Sequence, residues 1–183
     1  MNLRAVTAVL TAFAATTFVT GAHAADGVKR IGVTGGFAGV AGNEGTFAGG
    51  GGGVTGAYPL SDAWLLRGDA VVTSNQVTAK GGRSAVFWQS IGAQYALDVL
   101  QIVPYFGFHA GLYEQTFGGV GGVDWKFGLQ VSGGLDWVVS RSLIVGLEVR
   151  LHALPQDFVQ NPTNPTPFYV TSFLRAEYAW GWF

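Results

Sequence analysis

The stretch Leu143-Ile144-Val145-Gly146-Leu147-Glu148-Val149-Arg150-Leu151-His152 decides the fold. Leu143, Val145, Leu147, Val149 and Leu151 take every second position. Ile144, Gly146, Glu148, Arg150 and His152 fill the positions between them. A side-chain period of two puts one set on each face of a β-strand, one face aliphatic and the other mostly polar. Such a strand separates two environments of different polarity.

The same period runs outward in both directions. Upstream, Trp125, Phe127, Leu129, Val131, Leu135 and Trp137 alternate with Lys126, Gly128, Gln130, Ser132, Gly134 and Asp136. Downstream, Leu174, Ala176, Tyr178, Trp180 and Trp182 stand opposite Arg175 and Glu177. Earlier, Leu66, Gly68, Ala70 and Val72 alternate with Arg67, Asp69, Val71, Thr73 and Asn75. Phe106, Phe108, Ala110 and Leu112 alternate with Tyr105, Gly107, His109 and Gly111. Between Val86 and Tyr95, Trp88 and Gln89 break either choice of phase. Segments 30–40 and 47–58 are too rich in glycine to show one. Tight turns at 59–62, 98–101 and 140–142 alternate with mostly longer polar or glycine-rich links at 41–45, 77–83, 116–123 and 155–167. Eight strands of roughly 10 residues fill the chain, and sixteen do not fit.

Composition narrows what such strands can be. Of 183 residues, 49% are apolar and only 11% charged, against about 25% charged in soluble domains. The net charge of −1 leaves no basic stripe to grip phosphates, so nucleic acid is not an expected partner. The absence of cysteine excludes disulfides, zinc-thiolate sites and cysteine nucleophiles. Met1 to Arg4 form a short basic start, Ala5 to Val19 an apolar run, and Ala22-His23-Ala24 a small-x-small exit. This pattern predicts a cleaved signal peptide over 1–24 and a barrel domain over 25–183. The apolar run is short for a membrane anchor.

A soluble barrel would turn its apolar face inward and a charged face outward. The polar face here is too sparse in charge to dissolve the aromatic and aliphatic bulk behind it. Tyr58, Trp64, Tyr95, Trp125, Trp137, Tyr178, Trp180 and Trp182 gather near strand ends, as interfacial girdles do. The reading is therefore all-β: an eight-stranded antiparallel up-and-down transmembrane barrel. Its mid-strand charges then point into the lumen. They are Arg67, Asp69, Lys126, Asp136, Glu148, Arg150, Arg175 and Glu177. Balanced charges in a lumen just wide enough to be filled by side chains imply a closed, salt-bridged plug.

With this signal, the turn Tyr58-Pro59-Leu60-Ser61-Asp62-Ala63-Trp64, eight alternating strands and a C-terminal Phe183, the chain resembles the small outer-membrane barrels that include the OmpA transmembrane domain and OmpX. The resemblance implies an outer-membrane location and contact with outer-membrane lipids and lipopolysaccharide. It also implies assembly by the barrel-assembly machinery through Tyr178, Trp180, Trp182 and Phe183, although Phe183 falls one residue out of phase with the other three. It does not fix an activity.

No cofactor is expected. Gly49 to Gly53 and the Gly36-x-x-Gly39-x-x-Gly42 spacing lack the Gly-Lys-Ser/Thr of a phosphate loop. They read as room for lumen side chains or as sharp strand bends. Two alternatives to a structural or surface-interaction role stay open. One is a narrow, porin-like pore for small solutes or ions. The other is a lipid A-modifying enzyme with His152 or His109 as base. Ala153 and Leu154 follow His152 where a His-x-Ser pairing would need serine, and His109 has Glu114 nearby but no serine beside it. The link bearing Pro155, Pro162, Pro165 and Pro167 is the candidate site for an extracellular ligand.

The final hairpin yields a register. Arg150 opposite Arg175 would set Glu148 against Glu177, and like charges repel across a ladder. A shift that lets the strand end near Pro155 pairs Glu148 with Arg175 and leaves the partners of Arg150 and Glu177 unassigned. For the leader, N-terminal sequencing of the membrane-inserted chain is expected to begin at Ala25. A membrane form retaining residues 1–24 would contradict the cleavage assignment.

Overall fold

A computed structural model describes residues 28–42, 45–77, 82–97, 101–117, 123–156 and 168–181. The proposed leader, residues 157–167 of the proline-rich link, Trp182 and Phe183 lie outside them. Eight strands follow in chain order: β1 (Lys29–Gly42), β2 (Gly45–Pro59), β3 (Trp64–Val77), β4 (Gly82–Ala96), β5 (Ile102–Phe117), β6 (Val123–Ser140), β7 (Leu143–Ala153) and β8 (Phe168–Trp180). Each pairs antiparallel with its sequence neighbours, and β1 closes on β8. Among the described residues no helix is long and apolar enough to cross a membrane.

The registers make the closure oblique. A line of directly opposed residues runs from Arg30 through Ala57, Arg67, Gly92, His109, Gln130, His152 and Tyr169. It returns to β1 at Val40, not at Arg30. That stagger forces the strands to tilt against the barrel axis, and with strand number it sets the barrel's width. Only one irregularity interrupts the ladders of the described residues, between Val138 and Ser140 on β6. Tight turns close one end. In the β2–β3 turn, Leu60 and Ser61 both donate backbone hydrogen bonds to the Trp64 carbonyl, at 2.8 and 3.1 Å.

The strands run further than their hydrophobic pattern. β1 continues to Gly42 and β2 resumes at Gly45, so the expected link over 41–45 shrinks to two residues. The expected contrast between a short-turn end and a long-loop end reduces to the one long link between β7 and β8. A hydrogen-bond ladder needs only backbone, so it extends through glycine and polar residues that carry no apolar phase.

The ambiguous phase of β4 is also settled. Val86, Trp88, Ser90, Gln94 and Ala96 are buried inward, while Phe87, Gln89, Ile91, Ala93 and Tyr95 take the outward positions. Outward side chains make an apolar belt, with Ile91 59% and Leu174 63% exposed. At the turn end Tyr58, Trp64, Tyr95, Trp137, Tyr178 and Trp180 share that outward phase, and the Trp64 and Tyr95 rings meet edge-on at 5.1 Å.

Glycine marks where the wall folds sharply. A Cβ at inward-phased Gly51 on β2 would strike the Val72 carbonyl oxygen and lie 2.6 Å from Thr73 Cγ2. A Cβ at outward-phased Gly56 would meet nothing closer than the Arg30 carbonyl at 3.6 Å. Gly51→Ala is thus expected to lower unfolding stability by about 1–3 kcal/mol in urea titrations of the refolded barrel, while Gly56→Ala stays near wild type. Equal effects would show that the wall does not bend at β2–β3.

Candidate functional site

Each strand sends alternate side chains into the lumen, where there is little water to solvate them. Arg67, Asp69, Asp136, Glu148, Arg150, Arg175 and Glu177 all lie there, each no more than 3% exposed. Arg30 of β1, which the sequence reading did not single out, joins them through Asp136 at 2.8 Å. Lys126 is buried on the inward face of β6 towards the loop end.

The charges form one connected chain across the barrel. Arg67 grips Glu177 through Nη1–Oε1 at 2.5 Å and Nη2–Oε2 at 3.4 Å. It also donates to Gln94 Oε1 at 2.6 Å and Thr55 Oγ1 at 2.8 Å. Arg175 donates to Asp136 Oδ1 at 2.5 Å and to Glu148 Oε2 at 3.0 Å. Glu148 also accepts from Arg150 Nε and from the Tyr105 hydroxyl at 2.9 Å. Arg150 Nη1 reaches Asp69 Oδ2 at 3.0 Å. Four guanidinium groups thus meet four carboxylates, drawn from β1, β3, β6, β7 and β8. Buried charges persist only when paired with opposite charge, as each of these is.

The β7–β8 register differs from the expected one. Arg175 stands opposite Gly146, and Glu148 opposite Phe173. The slide has the expected direction but goes two residues further, and Glu148 and Arg175 pair diagonally. The reason lies at Gly146: a Cβ there would collide with Asp136 Oδ1 and come within 3.2 Å of Arg175 Nη2. Missing that side chain, Gly146 leaves the space through which the Arg175 guanidinium reaches Asp136 on β6.

Above the charges sits an aromatic cap of Val71, Val86, Trp88, Tyr113, Leu154, Tyr169 and Phe173. Trp88 lies between Tyr113 and Phe173 at ring separations of 6.2 and 6.1 Å, both stacked. The His152 ring stacks on Tyr169 at 4.0 Å. A hydrogen-bond relay joins this cap to the charges. Arg150 donates to Gln130 Oε1 at 3.1 Å, and Gln130 Nε2 donates to the Tyr113 hydroxyl at 2.7 Å. That hydroxyl is then free to donate to His152 Nδ1 at 2.8 Å, which leaves Nε2 to donate to Thr171 Oγ1 at 2.9 Å. At the turn end Ala96, Val103 and Tyr105 form a second apolar plug with Val138.

The candidate bases are therefore placed. Both nitrogens of His152 are engaged, by a tyrosine and a threonine. His109 has a serine neighbour that the sequence concealed: Ser132 Oγ lies 3.3 Å from its Nε2, brought there from β6. On its other side Asp69 Oδ2 is 3.8 Å from Nδ1, beyond hydrogen-bond range, and that carboxylate is held by Arg150. Asp69, His109 and Ser132 are buried behind the wall, where a lipid substrate outside cannot reach the hydroxyl. Glu114 takes the opposite, outward phase on β5 and cannot act with His109. Among the described residues no group of three or more His, Cys, Asp or Glu could hold a metal ion.

Of the residues expected to form an assembly signal, Tyr178 and Trp180 are exposed on the outward face and stack at 6.0 Å. β8 ends at Trp180, followed by Gly181 with a φ of 95°. That left-handed conformation suits glycine and ends the extended strand.

The network makes a thermodynamic prediction. Glu148→Ala and Arg175→Ala are each expected to destabilise the refolded barrel by about 3–5 kcal/mol, the usual result of orphaning a buried charge. The double variant is expected to lose less than the sum, with a coupling of about 0.5–3 kcal/mol. Pairing Glu148→Ala with outward Val170→Ala should be additive in the same urea titrations. Additivity in the first pair would refute the diagonal contact.

No protein-family model matches the chain, and no curated protein is similar to it by sequence. Solved structures are similar in fold. Neisserial surface protein A superposes with a TM-score of 0.66 at 16% identity, covering 83% of this chain and 98% of that one. OprG from Pseudomonas aeruginosa gives 0.60 at 12% identity, covering 86% and 98%. Ail, the attachment invasion locus protein of Yersinia pestis, gives 0.56 at 14% identity, covering 85% and 99%. The eight-strand closure, the apolar belt and these superpositions together establish that the chain has the fold of the small outer-membrane β-barrels.

Proposed function

We propose that the protein is an integral outer-membrane barrel with a structural or surface-interaction role, a closed lumen and no catalytic activity. The observation that carries this reading is the filling of the lumen. Four arginines and four carboxylates cross-link its middle, an aromatic cap lies on one side and an apolar plug on the other. A conducting path would need water along the axis, and it would have to part ion pairs that hold strands on opposite walls together. A charge chain of one dominant sign would favour ion selection, whereas balanced pairs neutralise one another.

A lipid A-modifying activity would need an activated nucleophile facing the bilayer. The serine–histidine contact of this chain faces inward instead, beside an arginine-bound aspartate. The interaction role falls to the loop end, where the link carrying Pro155 and Pro167 is the longest. Its first residues are tied to the wall: Leu154 packs into the aromatic cap, and Gln156 Oε1 accepts the Phe127 backbone N–H at 3.1 Å. A loop anchored on a rigid wall is a suitable platform for an extracellular ligand. Ail, which shares the fold, has a structure in complex with the heparin analogue sucrose octasulfate.

Planar-bilayer recording of the refolded protein tests the closed lumen. No discrete conductance steps are expected from the wild type. Regular single-channel steps from protein that also shows the heat-dependent gel mobility of a folded barrel would replace this reading with the narrow pore.

A further inference from the structure

Outward positions of the barrel are apolar through the belt, with few departures. Ser74, Gln76 and Glu114 lie towards the loop end of their strands, within reach of headgroups. Ser172 carries a hydroxyl that its own strand's carbonyls can satisfy. Gln89 is different. It stands in the middle of β4, opposite Ala70 of β3 and Leu112 of β5, with Ile91, Ala93 and Tyr95 at the outward positions below it. At about 3.3 Å per residue and a tilt near 40°, it lies roughly 15 Å from the Tyr95 girdle, well inside an apolar band about 25 Å tall. Its inward neighbour Trp88 is fully buried in the aromatic cap. The strand therefore cannot slip by one residue to turn the amide inward. No side-chain hydrogen bond joins Gln89 to another described residue.

We propose that Gln89 is the centre of an interface between two copies of this barrel in the membrane. This rests on the outer-membrane reading above and adds a partner to it. Acyl chains offer an amide neither donor nor acceptor, and an unmet amide in hydrocarbon is unfavourable. A second copy supplies the complement. Across a two-fold axis each Gln89 Nε2 donates to the other's Oε1, because an amide carries both functions and an isologous interface brings identical residues together. Beside Gln89, Gly68 on β3, Ala93 on β4 and Ala110 on β5 are small, while Val72, Ile91 and Leu112 project about half-exposed and supply apolar surface that a second copy would cover around the amide. A polar side chain that hydrogen-bonds from one membrane segment to another favours their association.

The chain has no cysteine, so single-cysteine variants report the contact directly. Gln89→Cys in outer membranes is expected to form a disulfide-linked dimer on mild oxidation. Leu147→Cys, outward on β7 on another side of the barrel, is expected to stay monomeric. In proteoliposomes, energy transfer between labelled barrels should show an association constant about three- to thirty-fold lower for Gln89→Leu than for wild type. Retained heat-dependent gel mobility would show that this variant still folds. Equal cross-linking of the two cysteine variants, or undiminished association of Gln89→Leu, would overturn the proposal. So would a Gln89→Cys adduct only with a protein of different mass, which would indicate another barrel as partner. Recovery of the wild type in the soluble fraction without a mobility shift would instead remove the membrane reading itself, and the interface with it.

Discussion

Closure of β1 on β8 is the constraint on which the rest of the structure depends. In hydrocarbon an unpaired backbone N–H or C=O has no water to turn to, so a sheet can span a membrane only without edges. The Arg30–Ala179 to Val40–Tyr169 ladder removes both edges at once. Its register also fixes the stagger, and stagger with strand number fixes the width of the lumen. An eight-stranded lumen of this kind is too narrow for bulk water and too wide to be left empty. The inward side chains must fill it, and every property of the interior follows from how they do so.

They fill it in layers. Polar and charged groups occupy the middle, where pairs can form across the lumen, and aromatic or aliphatic groups occupy both ends. The arginines carry the arrangement, because a planar guanidinium can serve several carboxylates at once. Arg175 bridges Asp136 and Glu148 from β8 to β6 and β7, with the Tyr105 ring 4.8 Å from its guanidinium carbon. Glycines at inward positions are part of the same packing, since Gly146 vacates the volume that Arg175 and Asp136 occupy. Ion pairs between strands thus cross-brace the interior.

The outer surface has two parts. The apolar belt answers to the bilayer and tolerates almost no polarity, which is why one mid-belt glutamine stands out. At the loop end the longest link starts from a segment pinned by Leu154 and Gln156.

Much of this was legible in the residues alone. The alternation from Leu143 to Leu151 and from Trp125 to Trp137 specifies strands with one apolar face, because a period of two has no other physical meaning. Scarcity of charge on the other face specifies that the apolar face meets lipid. The inward placement of Arg67, Asp69, Glu148 and Arg175 follows from the same phase. Tertiary structure decided what local pattern cannot encode. Segment 86–95 carries conflicting signals, and only the aromatic cap, by taking Trp88 inward, settles which face Gln89 shows. Arg30 sits in a glycine-rich strand without visible phase, and it enters the charge chain only because β1 closes beside β8. Ser132 meets His109 because β5 and β6 pair in one particular register. The β7–β8 register, judged from charges directly opposite one another, falls two residues short, because long side chains also pair diagonally and Gly146 on β7 makes the room for Arg175 to reach Asp136 on the third strand, β6. Periodicity is a property of single strands, whereas register and cross-lumen pairing belong to the closed barrel, which exists only when all eight are in place.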